Sequence, residues 1–179
     1  MKKYIYNTIT AIFIIFTAVS FNACDEFNTF PINIPISFEF TATGSNSVFN
    51  SGQYCLEQSD VYQDYQDKVQ SISYVEAAYR TISISDPTVQ GTINVQVFNT
   101  VTNTIIINFT LSNFRPADYI STPLILNIDQ SQINAFNTYL NNLPQNAKCF
   151  RVIVTITGIS GTQSLNGAVD VVFEAETEF

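Results

Sequence analysis

Asp170, Glu174, Glu176 and Glu178 recur at even positions near the end of the sequence. On an extended strand such positions share one face, with neighbours two residues apart standing about 7 Å from each other. Carboxylates at that spacing can flank a glycosidic bond or share a Ca2+ ion. They also have a plainer meaning, a row of like charges that keeps a strand edge from pairing with another chain. Glu57, Asp60, Asp64 and Asp67 form a second acidic series, which reads as the solvated face of a short helix. The sequence has no His, which removes Ser-His-Asp triads, Cys-His dyads and His-bearing zinc sites. It has no DxDxDG loop either, so the calcium reading lacks a motif. No catalytic residue, cofactor or metal ion is assigned; the four carboxylates stand as a cation or partner patch. Tyr54, Tyr62, Tyr65, Tyr74 and Tyr79 crowd one stretch and suit either a core or a sugar- or protein-contacting surface. The core is the preferred reading.

The rest of the composition limits what these groups can serve. A chain of 179 residues fits one domain with a short leader. Fifteen acidic residues stand against seven basic ones, a net charge of −8, which excludes a nucleic-acid binder that must neutralise phosphates. The 46% hydrophobic and 13% aromatic content exceeds that of a disordered polymer.

Lys2 and Lys3 precede an apolar run over 9–19, and Ala23-Cys24 follows it. The run has the length of a secretory h-region. A small residue just before Cys, behind such a region, resembles the lipobox of bacterial lipoproteins. That resemblance implies a signal peptide over 1–23, cleavage before Cys24, and a palmitate-type lipid on Cys24. Asp25-Glu26 resembles the export signal of Bacteroidota lipoproteins, implying an outer-membrane protein displayed at the cell surface. Residues 24–30 then form a lipidated tether. With Cys24 acylated, Cys55 and Cys149 remain, and an oxidising compartment would let them pair. Two buried thiols are the alternative.

From residue 31 the pattern has period two. Ile32, Ile34, Ile36, Phe38 and Phe40 share one face, and Pro31 and Pro35 mark an edge strand. Residues 43–47 read as a loop. Residues 69–84 form a strand with a bulge near Glu76-Ala77-Ala78, and Asp86-Pro87 is a turn. Alternation at 93–97 and 105–111, joined across 99–103, predicts a hairpin. Shorter runs follow at 124–128, 150–156 and 169–175. Asp129 and Gln132 form a capping box ahead of Ile133, Phe136, Tyr139, Leu140 and Leu143, with Pro144 as the stop. A weaker helix spans 59–68, and each helix should cover an open end or edge. The expected domain, 31–179, is a mainly β, antiparallel, immunoglobulin-like sandwich of about seven strands with two short helical insertions.

These readings converge on a membrane-anchored, non-enzymatic binding or assembly module with a protein or glycan partner. A filament subunit built by strand addition is the first alternative. A carboxylate-based glycoside hydrolase and a Ca2+-dependent glycan binder come after it. The oligomeric state is not specified by these features.

Overall fold

The computed structural model describes residues 29–44, 46–158 and 164–178. Cys24, Asp25, Glu26 and the signal peptide expected over 1–23 lie outside the described residues. The strands are β1 (Thr29–Thr43), β2 (Asn46–Asn50), β3 (Tyr54–Cys55), β4 (Val69–Ile84), β5 (Gly91–Asn99), β6 (Ile105–Phe114), β7 (Leu124–Ile125), β8 (Cys149–Thr157) and β9 (Ser164–Glu178). The helices are α1 (Asp60–Tyr65) and α2 (Gln130–Asn142), as expected in place and number.

One sheet has the order β1-β9-β4-β7; in the other β2-β8-β5-β6 is the path and β3 adds to β8. All pairs are antiparallel. The pairs β1·β9, β2·β8, β4·β7 and β5·β6 nest inside one another, like the two arms of one long hairpin. Further pairing of β9 with β4 and of β8 with β5 rolls that hairpin up. The sandwich expected from the sequence is therefore a sandwich in its layers and a jelly roll in its connections. Seven of the nine strands have five residues or more.

Alternation builds the core. Ile34, Ile36, Phe38, Phe40 and Ala42 of β1 point inward, as do Val169, Val171, Phe173 and Ala175 of β9. Opposite them lie Ile93, Val95 and Val97 of β5 and Phe150, Val152, Val154 and Ile156 of β8. Phe150 is the hub, with ring centroids 5.4 Å from Phe136, 5.7 Å from Tyr54, 5.8 Å from Phe173 and 6.1 Å from Phe38. The tyrosines follow the core reading: Tyr62 and Tyr79 are buried, while Tyr54, Tyr65 and Tyr74 are half-buried. Gly167 lies where a Cβ would come within 2.9 Å of Phe40 Cζ and 3.0 Å of Tyr79 Cε2, so two rings occupy its side-chain space.

Two local expectations need adjustment, and a third is met. Residues 43–47 do not form one continuous loop, because β1 ends at Thr43 and β2 begins at Asn46. The sequence concealed β2 because Val48, one of its two large apolar residues, faces solvent at 66% exposure. The bulge in β4 is present as a register shift between Tyr74 and Glu76. Asp129 does precede α2, but its side chain caps no backbone N–H, so the capping box is not formed. Gln132 is engaged elsewhere: its Oε1 accepts from the Asn108 backbone N–H at 2.8 Å.

That contact belongs to a larger device. In the described sheets β6 is an edge, and β4 is covered by β7 only at Ala78 and Tyr79. Open strand edges carry unpaired backbone groups that invite other chains. Helix α2 spans both edges and its side-chain amides occupy backbone groups on each, three on β4 and one on β6. Asn141 Oδ1 accepts from Ile72 N at 2.8 Å, and its Nδ2 donates to Ile72 O at 2.7 Å. Asn137 Oδ1 accepts from Tyr74 N at 2.8 Å. Just beyond the helix, Gln145 Nε2 donates to Val69 O at 2.7 Å. Asn141→Ala removes both bonds to Ile72 and is expected to cost about 1–2 kcal/mol. A lower urea midpoint, together with faster hydrogen exchange at the Ile72 amide, would register this loss.

The expected edge strand β1 is indeed at an edge. It pairs with β9 from Thr29↔Glu178 through Thr43↔Ser164 without a register break. An unpaired segment around Pro31–Phe40 would favour a filament built by strand addition; here that segment pairs with β9 of its own chain.

Candidate functional site

The strand directions sort the connections into two ends. Thr29, Val69 and Glu178 meet at one end, because β9 pairs Glu178 with Thr29 and Thr177 with Val69. Phe150 pairs with Asn99 and Tyr54, which brings the β5–β6 turn and the start of β8 to that same end. Helices α1 and α2 lead into β4 and β8 there. The last residues of β1, β4 and β8 lie at the opposite end.

Cys55 and Cys149 form a disulfide across the β3–β8 pair, joining positions 94 residues apart. The bridge ties both helical insertions to one end of the core. Next to it Lys148 is buried at 4% exposure, and its Nζ donates to the carbonyls of Leu140 at 2.7 Å and Leu143 at 3.1 Å. A cation at the negative end of α2 satisfies carbonyls the helix leaves open. Burial pushes the pKa of Lys148 below its ordinary value.

Asp170, Glu174, Glu176 and Glu178 all stand on the outer face of β9, since Val169, Val171, Phe173, Ala175 and Thr177 between them point inward. The expectation that the row guards a sheet edge is not met, because β9 runs between β1 and β4. Cross-strand polar groups bind three of these acids. Asp170 accepts from Ser37 Oγ at 2.6 Å and from Arg80 Nε at 2.7 Å. Glu176 accepts from Ser71 Oγ at 3.1 Å, and Glu178 from Gln70 Nε2 at 2.9 Å. Arg80 also lies 3.5 Å from Glu39, and its hydrogen bond with Asp170 raises the guanidinium pKa. The four carboxylates thus lie along one strand face rather than opposing one another across a cleft. Among the described residues, no three His, Cys, Asp or Glu side chains gather as a metal-binding group.

The other acidic series has a similar place. Asp60, Asp64 and Asp67 are exposed and Glu57 is half-buried, while Tyr62 on the same segment is buried and donates to Gln145 O at 3.0 Å. Burial raises the Tyr62 phenol to about 12, with the Glu57 charge adding to the effect. Arg115 donates from Nε to Pro87 O at 3.1 Å and lies 3.7 Å from Asp118, a structural use of the loop.

The concave feature that the sequence did not signal lies between α2 and the β5–β6 turn. It is an open groove of ≈ 630 Å³. Val101, Ala135, Tyr139 and Leu143 supply its apolar surface, and Asn99, Asn134, Thr138 and Asn142 line it with polar groups. Asn99 Oδ1 shapes the turn by accepting from Val101 N at 2.8 Å and Thr102 N at 3.1 Å. Thr100 N donates to Tyr139 Oη at 3.2 Å, tying turn to helix. Arg151 stacks 4.6 Å over Phe98, and its Nη2 holds Asn103 at 2.6 Å. Periodicity could not reveal this groove, because its walls come from a turn and from the outward side of a helix.

No protein-family model and no curated protein sequence matches the chain. Among solved structures it is similar to an empty head of turnip yellow mosaic virus, at 12% identity and a TM-score of 0.43, covering 84% of this chain and 82% of that one. It is also similar to tobacco necrosis virus, at 12% identity and a TM-score of 0.40, over 85% and 97% of the two chains. A third is maize chlorotic mottle virus, at 14% identity and a TM-score of 0.36, over 85% and 95%.

Proposed function

We propose that this chain is a lipid-anchored envelope protein, held at the outer membrane through Cys24 and displayed at the cell surface. Its sandwich serves as a non-enzymatic binding or assembly module for a protein or glycan partner. The observation that carries the reading is Ala23-Cys24 immediately behind an apolar run and a pair of lysines. Two features support it. The Cys55–Cys149 bridge suits an oxidising compartment. Strand β1 begins at Thr29, and the five residues from Cys24 reach at most about 18 Å when extended. A lipid on Cys24 would therefore keep the helix-bearing end near the bilayer and aim the opposite end outward.

Attachment through several acyl chains is firm, since each buried CH2 contributes about 0.8 kcal/mol. Cys24→Ala should move the protein from the membrane pellet to the soluble fraction and abolish labelling by a palmitate analogue. Mass spectrometry of the native protein should find an acylated residue 24 at its start. An intact Met1, or an unmodified Cys24 thiol, would overturn the assignment.

A further inference from the structure

We propose that the groove between α2 and the β5–β6 turn is a binding site for an uncharged oligosaccharide. This inference deepens the reading of the sandwich as a binding module and is independent of the anchor at Cys24.

The lining has the two-sided chemistry that sugars require. A sugar ring presents apolar C–H faces and a rim of hydroxyls, so its site needs apolar contact area together with neutral donors and acceptors. Val101, Tyr139 and Leu143 provide the contact area. Val101, at the tip of the turn, is 76% exposed, the most exposed large apolar side chain among the described residues. The polar rim has bonding capacity left over. Among the described residues, the side chains of Asn99 and Asn134 use only their carbonyl oxygens, which leaves their amide nitrogens to donate. Asn142 and Thr138 make no side-chain hydrogen bond with any described residue.

The sequence of α2 points the same way. The helix contains four Asn in thirteen residues, although Asn is a mediocre helix former. Asn137 and Asn141 are accounted for by the β4 edge they cap. Asn134 and Asn142 have no such role. They lie eight residues apart with Thr138 midway, giving a polar row about 12 Å long on the groove side of the helix. That length suits an oligosaccharide rather than a single sugar.

Charge and geometry narrow the class of ligand. None of the nine lining residues is charged, so a charged ligand would lose hydration without gaining a counter-ion. The net charge of −8 adds repulsion against polyanions. Peptides that bind by strand addition need a free sheet edge. At the neighbouring edges the backbone N–H groups of Ile72, Tyr74 and Asn108 are already taken by side chains of α2. Both walls are also fixed before any ligand arrives, the turn by Asn99 and Arg151 and the helix by the edge amides. Pre-organisation of that kind lowers the entropy cost of binding.

The test uses the full chain in a non-ionic detergent. It is applied to an array of neutral gluco-, manno-, xylo- and galacto-oligosaccharides beside polygalacturonate and hyaluronan, and hits are titrated by calorimetry. At least one neutral series should bind, and the Cys24→Ala variant should bind it equally, which separates this inference from the anchoring proposal. Val101→Asp and Asn142→Ala should each weaken binding at least tenfold while leaving the melting temperature within a few degrees. Asn142→Ala is the check should Val101→Asp disturb the turn. The inference is overturned by no binding in any neutral series, by preference for the acidic polymers, or by affinity unchanged in both variants. Binding of the Cys24→Ala protein to neutral phosphatidylcholine vesicles that is lost in Val101→Asp would also overturn it, making the groove a bilayer contact.

Discussion

Reduction of the Cys55–Cys149 bridge is expected to lower the free energy of unfolding by about 4.7 kcal/mol, on the loop-closure estimate for a crosslink of this span. The positions bridged are 94 residues apart, so the crosslink removes a large share of the disorder open to the unfolded chain. Domains of this size commonly have a stability of only about 5–15 kcal/mol, so the loss is a substantial part of the whole. The folded state should feel it locally as well. The bridge sits in a two-residue strand pair, between a buried lysine that closes α2 and the Phe150 hub. The measurement is a pair of urea titrations, oxidised and reduced, with the Cys55→Ala/Cys149→Ala double variant as a control against reshuffling. Coincident midpoints would show that the fold does not depend on the crosslink.

Phe150→Ala should cost about 3–5 kcal/mol, the range for deleting a fully buried ring. Its side chain touches aromatic rings from β1, β9, the β3 strand and α2, and the residue is only 1% exposed. Those four neighbours belong to both sheets and to the helix, so no single rearrangement refills the space. Phe109→Ala, on a half-buried side chain of β6, provides the comparison and should cost clearly less. Thermal unfolding of the two variants under oxidising conditions tests this order. Combining Phe150→Ala with loss of the bridge should not give a simple sum, because residues 149 and 150 are neighbours whose effects couple.

The parts legible in the sequence are those where burial alternates. In β1, β5, β8 and β9 every second residue points inward, and the letters say so directly. Strand β2 was hidden because its pairing to β8 is a backbone matter and its apolar content is slight. The layered sandwich was readable, whereas the rolled connection was not. Antiparallel pairs such as β1·β9 join residues more than a hundred positions apart, and no local pattern encodes them. The Asp-x-x-Gln signal located the start of α2 correctly but missed its use, since Gln132 does more for the β6 edge than for its own helix. For the candidate sites, the disulfide is present, and the acids share a face as their spacing implied. The alternation could not reveal that this face belongs to an inner strand, because sheet order decides that. The groove was invisible because it depends on the turn and the helix meeting in space.

Strand β9 lies between β1 and β4, so the sheet containing them has no middle until residues 164–178 are available. A polypeptide emerging from a ribosome or a translocon holds its first strand long before that partner arrives. Premature closure of that sheet is therefore blocked by chain order alone. Once released, the polypeptide must find contacts far apart along its length, which places its folding among the slower, millisecond-to-second class.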